Sequence, residues 1–159
     1  MGKRREGREA AVQFLYQLDA NHEKPAALFP QFWVLRSTPG KKNDTSAKTR
    51  AFAEQLVEGV AAHLADIDAR IKKFAANYEL HRISAVDRNI LRLAIFEMLH
   101  CPEVPPVVSI NEAIEIAKRF GSEDSGRFIN GILDRVRSEI NRPAREPGAR
   151  RAPATPPEP

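Results

Sequence analysis

Residues 104–136 read VPPVVSINEAIEIAKRFGSEDSGRFINGILDRV, and no other stretch narrows the fold as much. Ile110, Ala113, Ile114, Ala117 and Phe120 recur at steps of three and four and so line one face of a helix. Phe128, Ile129, Ile132, Leu133, Val136 and Ile140 repeat that pattern beyond a small polar loop, residues 121–126. Ser109 and Glu112 form a capping-box pattern at the first helix, and Gly121 is placed to stop it. The second helix is expected to start at Ser122 or Glu123. A loop of glycine, serine and acid, next to an arginine and an aromatic, suits holding nucleic acid better than doing chemistry.

The rest of the chain is equally helical in pattern. Ala11, Phe14, Leu15 and Leu18 predict a helix over residues 6–21. Residues 25–33 read as a short helix or turn anchored by Leu28, Phe29, Phe32 and Trp33, and residues 36–45 as a surface loop. Phe52, Leu56, Val60, Leu64, Ile67, Ile71 and Phe74 predict one long helix from about Ser46, or two with a bend at residues 66–68. Ser84 and Asp87 form a second capping signature. The helix they open, to about Leu99, is apolar around most of its circumference and should be the most buried. No stretch reads as a strand. The expectation is one all-α domain over residues 1–141, then a disordered tail over residues 142–159. That tail holds half of the chain's 12 prolines among alanines and arginines, too little apolar surface to offset the entropy of ordering.

Catalysis has no visible foothold. His22, His63, His81 and His100 form no H-x-x-x-H or H-E-x-x-H pair, and no P-loop, G-x-G-x-x-G or G-x-S-x-G is present. Cys101 is the single cysteine, which excludes an internal disulfide and a multi-cysteine metal site. Neither an enzyme activity, a cofactor nor a metal is expected. No signal peptide, myristoylation site or membrane-length apolar run appears, so a cytoplasmic setting is expected.

The 159 residues carry a formal net charge of +4, which suggests an anionic partner. Lys3, Arg4, Arg5 and Arg8 cluster at the start, and Arg142, Arg145, Arg150 and Arg151 at the end. Each cluster is either a solvated tail or a phosphate contact. Four cations at the N-terminal end of a helix oppose its dipole, so helix stability does not ask for them.

The sequence resembles the NusB transcription antitermination factors. The resemblance is carried by Arg4-Arg5-x-x-Arg8-Glu9 with Ala11-Val12-Gln13 and Leu15-Tyr16, and by Val86-Asp87-Arg88 through Leu91-Arg92-x-Ala94 to Glu97. Ile110-Asn111-Glu112-Ala113-Ile114-Glu115, Ala117-Lys118, Phe120-Gly121, Asp124-Ser125 and Phe128-Ile129-Asn130-Gly131 complete it. It covers the chain to about Ile140. It implies about seven helices in two small packed bundles. It also implies binding of boxA-type single-stranded RNA with small-subunit ribosomal protein S-ten (NusE), on the transcription elongation complex, for processive transcription of rRNA operons. Self-association as a homodimer is a further option. The same fold serves as the N-terminal domain of an rRNA cytosine methyltransferase, but no such domain is expected after this tail.

By that resemblance, Lys3, Arg4, Arg5, Arg8, Asp124, Arg127 and Phe128 contact RNA, and Tyr16, Asp87 and Arg92 face the ribosomal protein. The residues themselves leave alternatives. Phe128 is in phase with Ile132 and Val136, so it is either core or a stacking platform for an unpaired base. Asp124 either reads a base or serves the helix dipole. Arg92, in an apolar helix, needs a carboxylate: Asp87 or Glu97 internally, or one on the partner. Asn111 and Asn130 are expected to brace the backbone near the loop, and Gly131 to allow close helix packing. Leu80-His81-Arg82 is more basic than the family pattern suggests.

Overall fold

The computed structural model describes residues 2–19, 24–36, 46–75 and 79–144. Among these, seven α-helices and a single 3-10 turn, Leu80–Arg82, account for the regular structure, and there is no strand.

Helix α1, Lys3–Leu18, begins three residues earlier than its apolar pattern suggests. Its cations therefore lie in its first two turns. Ala10, Ala11, Phe14 and Leu15 form its buried face. Helix α2, Pro25–Arg36, opens on a proline and carries Pro30 on its exposed side. It is fastened by rings: Phe14 meets Phe29 at 4.8 Å and Phe32 at 4.9 Å, and Phe32 meets Trp33 edge-on at 5.0 Å. Trp33 also donates its indole N–H to Glu54 at 2.7 Å, which satisfies the one polar atom this cluster would strand.

The long apolar pattern resolves into two helices, α3, Ala47–Ala62, and α4, Leu64–Phe74. The break falls at His63, a few residues before the expected bend. It lets the Leu56–Val57–Val60 stripe and the Ile67–Ile71 stripe each meet the central helix. Ser46 caps α3, its hydroxyl accepting from the Thr49 N–H at 3.2 Å.

Helix α5, Ala85–His100, is the buried centre that its composition predicts. Asn89 through Met98 are all buried, and Ser84 caps it by accepting from the Asp87 N–H. Helix α6, Pro106–Phe120, starts a turn before the expected Ser109 cap. Pro106 explains the difference: its fixed φ and missing N–H suit the first helical position, so the helix is under way when it reaches Ser109. Ser109 is buried, and Glu112 turns to another partner described below. Helix α7, Ser125–Ala144, begins two to three residues later than expected and runs past Asn141. Residues 145–159, most of the proline-rich tail, lie outside the described residues, as do residues 37–45 of the expected loop.

Helices α1, α2 and α3 pack together, as do α4, α6 and α7. Helix α5 lies against α1 and α3 on one side and α4, α6 and α7 on the other, so the two groups share it. No helix among the described residues is long and apolar enough to cross a membrane.

Candidate nucleic-acid interface

The leading cations divide into an exposed and a buried set. Lys3 and Arg4 are exposed. The Arg4 guanidinium lies 4.3 Å from the centre of the Phe52 ring, which props it at the surface. Phe52 reaches that position because residue 7 is glycine: a Cβ there would come within 2.6 Å of the ring. Arg5 is half-buried and grips Glu112 with two bonds, Nε to Oε1 at 2.9 Å and Nη2 to Oε2 at 2.7 Å. That fork holds the Glu112 carboxyl below the usual range despite partial burial.

Arg8 takes a different place from the one expected. Only 5% of its surface is exposed. It makes a two-bond fork with the buried Glu97 of α5, both distances 2.8 Å. Burial works against the charge on Arg8, but the bonds and charge of Glu97 outweigh it and raise the pKa above the ordinary arginine value. The charge of Arg8 is consumed inside the protein. Burying two ions is tolerable here because both oxygens of Glu97 accept from the guanidinium. Beside this pair, Cys101 is half-buried, and burial, then Glu97, push its thiol pKa up.

Between α1 and α6 runs a seam of charge. Arg5 and Glu112 mark one point of it. Further along both helices, Arg119 Nη1 donates to Glu9 Oε1 at 2.9 Å. Arg119 lies in the last turn of α6, two residues before Gly121, so the polar loop follows directly from the second turn of α1. The loop is itself tied. Ser125, buried at the start of α7, accepts from the Ser122 N–H at 2.9 Å. Gly121 ends α6 with φ −93° and ψ −172°, an extended conformation that any residue can adopt. Its need for glycine is space: a Cβ would meet the Ser125 hydroxyl at 2.5 Å. Gly121 thus ends α6 as expected, through a close approach rather than a left-handed backbone.

Asp124 and Arg127 are exposed on the far side of this loop. The Asp124 carbonyl accepts the first helical bond of α7 from the Phe128 N–H at 3.1 Å. Phe128 is half-buried and packs against the core, so its ring is partly committed to the fold. Asn111 is exposed, and Asn130 is half-buried. Gly131 corrects another expectation: a Cβ there would meet nothing within 4 Å, so it serves no helix contact.

The three residues assigned to the protein partner also separate. Tyr16 is 51% exposed. It borders a cleft of about 510 Å³ lined by Val12, Phe32, Leu35, Val86 and Phe120 among others. Asp87 is buried, and its Oδ1 has no hydrogen-bond partner among the described residues. Arg92 is internal. It pairs with neither Asp87 nor Glu97 but with Asp68 of α4, at 2.8 and 3.0 Å, and with Asp19 at the end of α1, at 2.9 Å. Burial alone would raise the Asp19 pKa, but bonds from Asn89, Arg88 and Arg92 hold it below the ordinary value.

Sequence reasoning did not single out Phe52 or Arg119, which stand beside the cations and the loop, and it weighed Glu97 as a partner for Arg92 rather than Arg8. Lys118 and Arg119 read as an ordinary basic last turn, where cations complement the helix dipole. The signal for Arg119 was its position, immediately ahead of the loop.

The described residues thus build an all-helical domain with a charged seam between α1 and α6 and exposed cations at the start of α1. The NusB family profile matches residues 5–138, and the chain belongs to that family. The transcription antitermination protein NusB of Myxococcus xanthus is 45% identical over 90% of this chain and 100% of its own length. That of Sorangium cellulosum is 44% identical over 92% and 99%. Among solved structures, T. maritima NusB superposes with a TM-score of 0.74 at 36% identity, covering 86% of this chain and 91% of that one. A complex of the antitermination factors NusB and NusE with double-stranded RNA gives 0.73 at 26% identity, covering 87% and 98%. Transcription antitermination is the role that these names carry.

Proposed function

We propose that this protein is an RNA-binding transcription antitermination factor. It holds a boxA-type single-stranded RNA together with ribosomal protein S-ten (NusE) on the elongation complex, and so favours processive transcription of rRNA operons. The observation that carries this reading is the bond between Glu9 and Arg119. It joins the second turn of α1 to the end of α6, so that the exposed cations of α1 and the loop ahead of α7 border one seam. The solved complex of the antitermination factors NusB and NusE with double-stranded RNA supports NusE and RNA as partners.

In this reading Lys3, Arg4 and Arg127 meet phosphates as permanent or near-permanent charges. Asp124 accepts from a base edge, which no phosphate would ask of it, and the exposed edge of Phe128 stacks on a base. Arg5 contributes an edge while Glu112 fixes its fork, and Arg8 supports the surface from beneath. Tyr16 and its apolar cleft receive the protein partner. Asp87, next to Val86 of that cleft, faces the same partner, and Arg92 stiffens the wall behind them.

The test is binding of boxA-type and scrambled single-stranded RNA, with and without the ribosomal protein, across a salt series. Replacing Lys3, Arg4 and Arg127 with glutamine should flatten the slope of log affinity against log salt by about 2, since each phosphate contact on a single strand contributes about 0.7. Equal affinity for the intact and scrambled sequences, in both the presence and absence of the ribosomal protein, would reject the reading.

A further inference from the structure

We infer that Arg119 is a further RNA contact, a phosphate-binding residue that bridges the two stretches assigned above; the inference rests on the RNA-binding reading.

Three observations converge on it. First, Arg119 is 56% exposed, although it is bonded to a carboxylate that is itself only 6% exposed. In the seam it is the counterpart of Arg8, which is buried with its carboxylate and has nothing to offer outward. Secondly, its bonding is one-sided. Nη1 donates to Glu9, and the guanidinium lies 5.2 Å from the centre of the Phe120 ring. Guanidinium has five N–H donors in a rigid plane, so fixing one edge on Glu9 orients the opposite edge. Orientation by a buried acid and an aromatic face lowers the entropy lost when a ligand binds. Thirdly, position: Arg119 stands between Glu9, which directly follows Arg8, and the loop that leads to Asp124 and Arg127. A strand running from the α1 cations to the loop passes it.

Charge of both signs surrounds Arg119. Arg36 of α2 lies close enough for the charge of Arg119 to oppose its own, and the carboxylates Glu6 and Glu9 act on Arg36 in the opposite sense. Arg36 is half-buried and donates to Gln13, so Arg119 is the member of this group that reaches solvent most openly.

The full-length protein is titrated with boxA-type and scrambled single-stranded RNA in a salt series, as wild type, R119Q, R119K and E9Q. R119Q should flatten the slope of log affinity against log salt by about 0.7. Its affinity deficit should therefore shrink by about 2.6-fold between 50 and 200 mM salt. R119K should keep the slope, because the charge remains, and E9Q should keep it too, because Glu9 only orients the contact. A purely structural Arg119 would lower thermal stability in R119Q and leave the slope alone, and that result would overturn the inference. If R119Q fails to fold, E9Q/R119Q leaves no buried carboxylate unpaired, and its slope decides in the same way. Failure of the underlying reading looks different: wild type itself would not distinguish boxA from the scrambled strand.

Discussion

Arg8 and Arg119 border the same seam, and each is bonded to a buried glutamate, yet they do different work. Arg8 is enclosed with Glu97 by α5 and α6 and spends both prongs of its fork inward. Arg119 stands at a helix end and spends one. The lesson is that an arginine in a basic cluster is defined by its own burial and by how much of its fork turns inward, not by its charge. A run such as Lys3-Arg4-Arg5-x-x-Arg8 is not one patch. It is two exposed cations, one half-committed residue and one interior strut.

Several experiments can break that contrast. The largest effect is expected from R8A, which strands the Glu97 carboxylate inside the protein. It should lower unfolding stability by about 3–5 kcal/mol in a denaturant titration, whereas R8M/E97L should recover most of the loss. A modest loss in R8A alone would mean that Arg8 is as free as Arg119. Acid comes next. The Glu112 pKa is lowered in the folded state by the Arg5 fork, so the pair stabilises above the ordinary glutamate value of 4.5 and is lost as pH falls through the lower folded value. Stability should therefore drop below about pH 4.5, and E112Q should show a shallower drop; parallel curves would remove Arg5 from the half-committed class. The smallest effect is a gain. Gly131 is exposed in the middle of α7 with open space around it, so G131A should raise stability by about 0.5–1 kcal/mol in thermal melts. A loss there would reveal a contact made at that backbone.

Helical periodicity gave away most of the fold. The stripes of α1, α3, α5 and α7 are long and regular, and the Ser84 cap is a local hydrogen bond that residue spacing can announce. The start of α6 was missed because two local signals competed, and Pro106 prevailed over the Ser109–Glu112 pattern. The partners of the arginines were out of reach for a different reason. Arg5 and Glu112 are 107 residues apart, Arg8 and Glu97 are 89 apart, and nothing in local spacing encodes which acid meets which base. Arg92 shows the same limit: two nearby acids on its own helix were the natural candidates, and two distant aspartates took it. Exposure at Tyr16 could not be read from pattern either, since it sits beside Leu15, which is buried.

One side chain bears on how the molecule comes apart. Arg92 projects from the shared central helix and fastens Asp19, where α1 ends, to Asp68 of α4, so a single guanidinium clasps elements from both helical groups. Neither group owns the central helix, and pulling them apart would leave that clasp half-open with its ions uncompensated. The division into two bundles is therefore one of shape alone, and a melting curve should trace a single sharp transition rather than two steps.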